Sequence, residues 1–285
     1  MTDPADHRPA PAPPSFHGRA VLVTGASRGI GFATAEAFLR AGADVCLTAR
    51  KQHELDEALA HLDGIGAPGR AVAYAGSAGE PEQVDAAVAY AVAAFGRVDV
   101  LVNNAATNPA FGPLMDVSLG AWRKTFQVNL DGPLLFAQAV WRAWMRDNGG
   151  VILNISTEGT YGVAPMIGAY EISKAALAHF TRQLAGELAP GVRVNSLSPG
   201  LVKTRMARAI WEPDEAKASA GIPLGRIGMP DDIAGAALWL ASDAAAWITG
   251  ADLIIDGGSR VRAAAAKPAG GSRDGVADNL RGAAT

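Results

Sequence analysis

The sequence predicts a doubly wound α/β fold built on a parallel sheet, and three observations carry that expectation. Short, continuously apolar runs recur along the chain, the form strands take when helices cover both faces of a parallel sheet. Stretches of about 12 residues or more with helical spacing separate most of them, which is the βαβ rhythm. The first run leads directly into a glycine-rich turn and a helix.

Taken in order, the strand candidates are AVLVT (20–24), DVCLTA (44–49), AVAY (71–74), VDVLVN (98–103), GVILNIS (150–156), VRVNSLS (192–198) and DLIID (252–256). Right-handed crossovers put the carboxyl ends of all of them, and any ligand, along one edge. A long helix is expected over 118–147, with more apolar positions than a single stripe needs: one face for the sheet, another for a second subunit. Residues 1–17 hold five prolines and read as a flexible arm. Residues 261–285 are rich in Ala and Gly and read as a mobile tail. The domain is expected over 18–260.

Composition narrows the partners. The chain has 285 residues, 49% hydrophobic and 19% charged, with a net charge of −3. That balance offers no footprint for a polyanion, so nucleic acid is not expected as a partner. No apolar run reaches the roughly 18–20 residues that span a bilayer, and the N-terminus has no signal-like apolar core. Cys46 is the single cysteine, which suits a reducing, cytoplasmic setting. The five histidines lie far apart, so no metal site is expected.

In VLVTGASRGIGFATAEAFL (21–39), Gly25, Gly29 and Gly31 let the backbone approach a pyrophosphate, which the helix N-terminus attracts. Ser27, Arg28 and Ile30 lie within the same turn. The second strand ends in Ala49 and Arg50, where a site for NAD carries an acid on the ribose 2′-OH. Arg28 and Arg50, with no carboxylate in that position, fit a 2′-phosphate and hence NADP(H). In AYEISKAALAHF (169–180), Tyr170 and Lys174 project from one helical face a turn apart. An ammonium beside a phenol favours the phenolate and lowers its pKa.

With TGASRGIG, NNAA (103–106), YEISK and SPG (198–200) in order, residues 18–258 resemble the short-chain dehydrogenase/reductase family, in particular its single-domain ketoacyl-reductase type. The resemblance implies a Rossmann-type domain with a seven-stranded parallel sheet. It implies hydride transfer between NADP(H) and a carbonyl, ketone or 3-oxoacyl-like, paired with a secondary alcohol. It assigns Tyr170 as general acid or base and Lys174 to the nicotinamide ribose and the tyrosine pKa. Asn129 would anchor a water linking Lys174 to solvent, Asn104 would lie near the adenosine, and Val202 and Thr204 near the nicotinamide amide. Homotetramers or dimers are usual in the family. An NAD-dependent dehydrogenase and a non-catalytic nucleotide sensor are the alternatives.

Three departures matter. The family's substrate-binding serine, 13 residues before the tyrosine, corresponds to Thr157, while a one-residue insertion would make it Ser156. Adjacent strand residues face opposite ways, so only one can serve. Ala106 stands where NNAG is usual, and Ser77 where an acid touches adenine. The substrate loops are expected at 107–116, 158–168 and 203–228, the last as a lid. Phe111, Tyr161 and Trp211 in them point to an apolar or cyclic substrate.

Overall fold

All five residues of β1, Ala20–Thr24, are buried. Alternate side chains of a strand leave opposite faces, so continuous burial requires a core on each side. Val21 and Val23 enter one core with Phe38, Leu55 and Leu240. Leu22 enters the other with Val88, Phe136 and Val140. The computed structural model describes residues 14–261.

Six further parallel strands complete the sheet: β2 Asp44–Ala49, β3 Ala71–Ala75, β4 Val100–Asn103, β5 Gly150–Ile155, β6 Val192–Pro199 and β7 Asp252–Ile255. Their order is β3-β2-β1-β4-β5-β6-β7. Every predicted strand is present, with ends displaced by at most two residues. The order reverses between β1 and β4, so the turns after those two strands open a crevice at the carboxyl edge. The helices α1 Gly29–Arg40, α2 Gln52–Gly64 and α3 Pro81–Phe95 make the first crossovers.

Two expectations change. The long helix spans 119–148, but its hydrogen bonding widens into π turns at Gln127–Asp131 and Trp141–Met145. The first has a cause in the sequence. Pro133 has no N–H to give the Asn129 carbonyl four residues back, and the Gly132 amide instead donates five residues back, to Gln127. The second correction concerns the arm. Phe16 is fully buried, its amide donates to Ala41 at 2.8 Å, and its ring meets Phe38 edge-on at 4.9 Å. The ordered body thus starts before residue 18. The rest of the expected arm (1–13) and nearly all of the expected tail (262–285) lie outside the described residues.

Phe16→Ala should cost about 3–5 kcal/mol of stability, the usual loss for emptying a buried phenylalanine site. Chemical denaturation measures it; a change under about 1 kcal/mol would mean that Phe16 lies outside the core in solution.

Candidate active site

The crevice begins at the glycine turn. Gly25 has φ +64°, and a Cβ on it would meet the Ala105 backbone at 2.8 Å. A Cβ on Gly31 would lie 2.3 Å from the Asn104 amide nitrogen. Neither position tolerates a larger residue. Gly29 starts α1, and no side chain caps its first amides, which leaves a donor set suited to a phosphate. The Asn104 amide nitrogen donates to Thr24 at 2.8 Å and Gly25 at 3.0 Å. Its side chain fastens the turn to the end of β1 rather than projecting into the crevice. Ile30 packs against the core. Thr204 closes the far side, its methyl 3.5 Å from a Cβ built on Gly29, and Val202 is buried beneath it.

The cationic corner differs from the expectation of arginines alone. Arg28 pairs at 2.8 Å with a carboxylate, Glu54 of α2. Lys51 approaches the same oxygen at 3.4 Å and Arg205 at 3.8 Å, while the Ser27 hydroxyl donates to the other oxygen at 3.3 Å. Desolvation raises the Glu54 carboxyl, but Arg28 and Lys51 outweigh it and hold it below its usual range. Arg50 is exposed and has no ion pair among the described residues. The uncapped amides suit a pyrophosphate, so the residues present fit a dinucleotide.

Across the crevice, the helix Gly168–Leu188 carries Tyr170 and Lys174. Lys174 is only 2% exposed, and its ammonium donates to the Ile155 carbonyl at 2.6 Å. It lies 5.8 Å from the centre of the Tyr170 ring. Without cofactor the pKa directions oppose the expected one. Burial pushes the Tyr170 phenol up to about 12, with the Glu171 charge adding to it, and pushes Lys174 down to about 7. Desolvation of each charged form outweighs their mutual attraction. The Tyr170 hydroxyl makes no hydrogen bond among the described residues.

Ser156 and Thr157 separate clearly. The buried Ser156 hydroxyl donates to the Lys174 carbonyl at 3.2 Å and is spent on packing. Thr157 is partly exposed at the start of the next turn; its oxygen accepts from the Gly159 amide at 3.3 Å, leaving its own proton free to donate. Asn129 is fully buried, its side chain holding Thr107 by both backbone groups, at 2.8 and 3.0 Å, and the Ser173 hydroxyl at 3.0 Å. Ser173 in turn donates to the Tyr170 carbonyl at 2.7 Å.

The substrate-side segments are tied together. Glu171, 8% exposed, accepts from the Ala164 amide with both oxygens, and the Gly112 amide donates to Met166. Residues 203–228 leave and return through the Val202–Gly228 bridge and carry two short helices, Arg208–Trp211 and Glu215–Ser219. The three aromatic residues have different fates. Trp211 donates to Thr204 at 3.3 Å, and Tyr161 donates to Asp252 at 2.8 Å beneath Arg260. Phe111 remains 77% exposed. Ser77 follows β3 with its amide on Gln83. No cluster of three metal-ligating side chains occurs among the described residues.

Sequence reading missed Glu54, Lys51, Arg205, Ser173 and Glu171. The serine and acid inside YEISK were visible signals. Glu54 was not, because its partner Arg28 lies 26 residues before it in the chain.

A family model described as enoyl-(acyl carrier protein) reductase matches residues 25–260. A relative from Pongo abelii, described as dehydrogenase/reductase SDR family member 4, is 39% identical over 248 residues, covering 86% of this chain and 88% of its own. The solved structure of a putative NAD(P)-dependent gluconate 5-dehydrogenase from Beutenbergia cavernae, with bound NADP, is 38% identical with a TM-score of 0.80, covering 87% of this chain and 98% of that one. A 7α-hydroxysteroid dehydrogenase complexed with NADH and 7-oxo glycochenodeoxycholic acid is 30% identical with a TM-score of 0.81, covering 86% and 95%.

The buried lysine has a consequence for stability. Its folded pKa of about 7 lies below its ordinary 10.5, so between those values the unfolded chain binds a proton the folded one lacks. Stability of the cofactor-free protein should therefore rise with pH, by about 2–4 kcal/mol between roughly pH 7 and 9.5. Lys174→Met should lose that rise. Urea denaturation across this window checks it, and parallel profiles for the two proteins would refute the depressed pKa.

Proposed function

The chain belongs to the short-chain dehydrogenase/reductase family, and on that premise we propose that it is an NADP(H)-dependent enzyme interconverting a carbonyl and a secondary alcohol. The observation that carries the reading is that Lys174, 5.8 Å from the centre of the Tyr170 ring, is bonded to the Ile155 carbonyl at the end of β5, two residues before the proton-bearing Thr157 hydroxyl. A bound nicotinamide supplies or accepts the hydride.

The chain's own groups handle the proton. Thr157 donates its hydroxyl hydrogen to the carbonyl oxygen of the substrate and orients it. Tyr170, a neutral phenol at pH 7, gives its proton to the alkoxide oxygen as the C–H bond forms. In the reverse direction it takes that proton from the alcohol, which requires a lowered pKa. An ammonium on Lys174, one helical turn away, favours the phenolate and opposes the effect of burial. Pro133 has no N–H to offer the Asn129 carbonyl, which supports the reading of a water bound there and leading from Lys174 to solvent.

Arg28, Lys51, Arg205 and Arg50 favour a 2′-phosphate and so NADP(H). One observation favours NAD instead: Glu54 offers a carboxylate that could accept the ribose 2′-OH. The exposed Phe111, Met115 and Val163 around the crevice support a substrate with an apolar face. The stacked Trp122 and Phe126 and the half-exposed Leu134 on the 119–148 helix support association into a dimer or tetramer. Cys46, the single cysteine, has no internal disulfide partner, which supports a reducing compartment such as the cytoplasm. No helix among the described residues is long and apolar enough to cross a membrane.

Tyr170→Phe should keep the fold and cofactor binding while turnover of a carbonyl panel falls about 10²–10⁴-fold. Near-normal turnover would remove Tyr170 from the chemistry. Thr157→Ala should lose most of kcat, whereas Ser156→Ala should lose mainly thermal stability; the reverse pattern would exchange the two assignments.

Cofactor choice is read from kcat/KM with NADPH and NADH. The wild type should prefer NADPH, less so as salt rises and screens the phosphate. Combining Ala49→Asp with Arg50→Ala should reverse the ratio. Equal use of both cofactors by the wild type at low salt would mean that the arginines are ordinary surface charges.

A further inference from the structure

Glu54 is arranged unlike a surface ion pair. Its side chain is 16% exposed, while Arg28, Lys51 and Arg205 around it are 48%, 54% and 68% exposed. The carboxylate thus lies beneath a canopy of cations from three separate elements: the glycine turn, the start of α2 and the base of the 203–228 excursion. The Ser27 hydroxyl adds a fourth contact to its second oxygen. Such a ring of donors around a single negative group is a built anion site, filled by the chain's own side chain.

We propose that Glu54 is an internal competitor for the 2′-phosphate and thereby sets the cofactor preference of this chain. This rests on the NADP(H) reading of the same corner. While Glu54 holds Arg28 and Arg205 together, it also fastens the base of the excursion to the glycine turn. A cofactor carrying the phosphate must draw those cations away from Glu54 against the repulsion of its charge. A cofactor with a free 2′-OH meets no such repulsion and gains an acceptor. Glu54 therefore disfavours NADPH, favours NADH and narrows the difference that the four cations would otherwise produce.

Glu54→Gln keeps the size and removes the charge. The experiment measures dissociation constants of NADPH and NADH for the intact protein at low salt, with 2′,5′-ADP and 5′-AMP as probes lacking the nicotinamide. NADPH and 2′,5′-ADP should bind about tenfold more tightly to the variant, the scale of one partly screened charge contact. NADH and 5′-AMP, which both carry the free 2′-OH, should bind equally or more weakly. Amide exchange across 203–228 in the cofactor-free variant should quicken, since Arg205 loses its partner. Equal changes for both cofactors, or no gain for 2′,5′-ADP, overturn the competitor role, and unchanged exchange overturns the fastening. A wild type that prefers NADH while Glu54→Gln still shifts binding toward NADPH would sink the NADP(H) reading and leave this inference standing.

Discussion

A lysine side chain removed from water needs an acceptor, and Lys174 finds it in the carbonyl of Ile155. The bond is answered in the other direction by Ser156, whose hydroxyl donates to the carbonyl of Lys174. These two bonds lock the end of β5 to the helix Gly168–Leu188. Everything that faces the crevice on that side takes its position from them. Tyr170 lies one turn before the lysine, and Thr157 emerges one residue beyond the spent serine. The cost of the arrangement is a cation held where water cannot reach it, and the depressed Lys174 pKa records that cost.

A second lock comes from the 119–148 helix. Pro133 opens a π turn and brings Asn129 to the point where it holds Thr107 on one side and Ser173 on the other. One buried amide thereby joins the turn after β4, the long helix and the helix bearing Tyr170. Ser173 relays the contact to the Tyr170 backbone. Tyr170 and Lys174 sit on one helix and Thr157 lies two residues past the end of β5, which suits a reaction that needs fixed geometry.

The opposite wall works by charge. The glycine turn offers uncapped amides and little room, so a phosphate binds through the backbone. The cations beside it converge on Glu54, and through Arg205 they also touch the segment expected to cover the substrate. One carboxylate thus links the glycine turn to the base of the 203–228 segment, two parts that lie far apart in the chain.

The sheet was legible in the sequence because strands covered on both faces must be apolar throughout, and residues such as 20–24 and 44–49 leave no other economical place for their side chains. The glycine turn, Tyr170 and Lys174 were legible because each depends on spacing within one element. Other features needed the folded chain. Thr157 and Ser156 differ only in which one the Lys174 carbonyl captures. Phe16 belongs to the core because Ala41 and Phe38 are waiting for it, although the prolines before it read as an arm. Glu54 joins Arg28 across 26 residues and also Arg205, which follows β6. The direction of the Tyr170 and Lys174 shifts followed from burial, which a pair of neighbouring letters cannot show. Local spacing and strand periodicity are written along the chain itself; desolvation and contacts between distant elements exist only once the chain has closed on them.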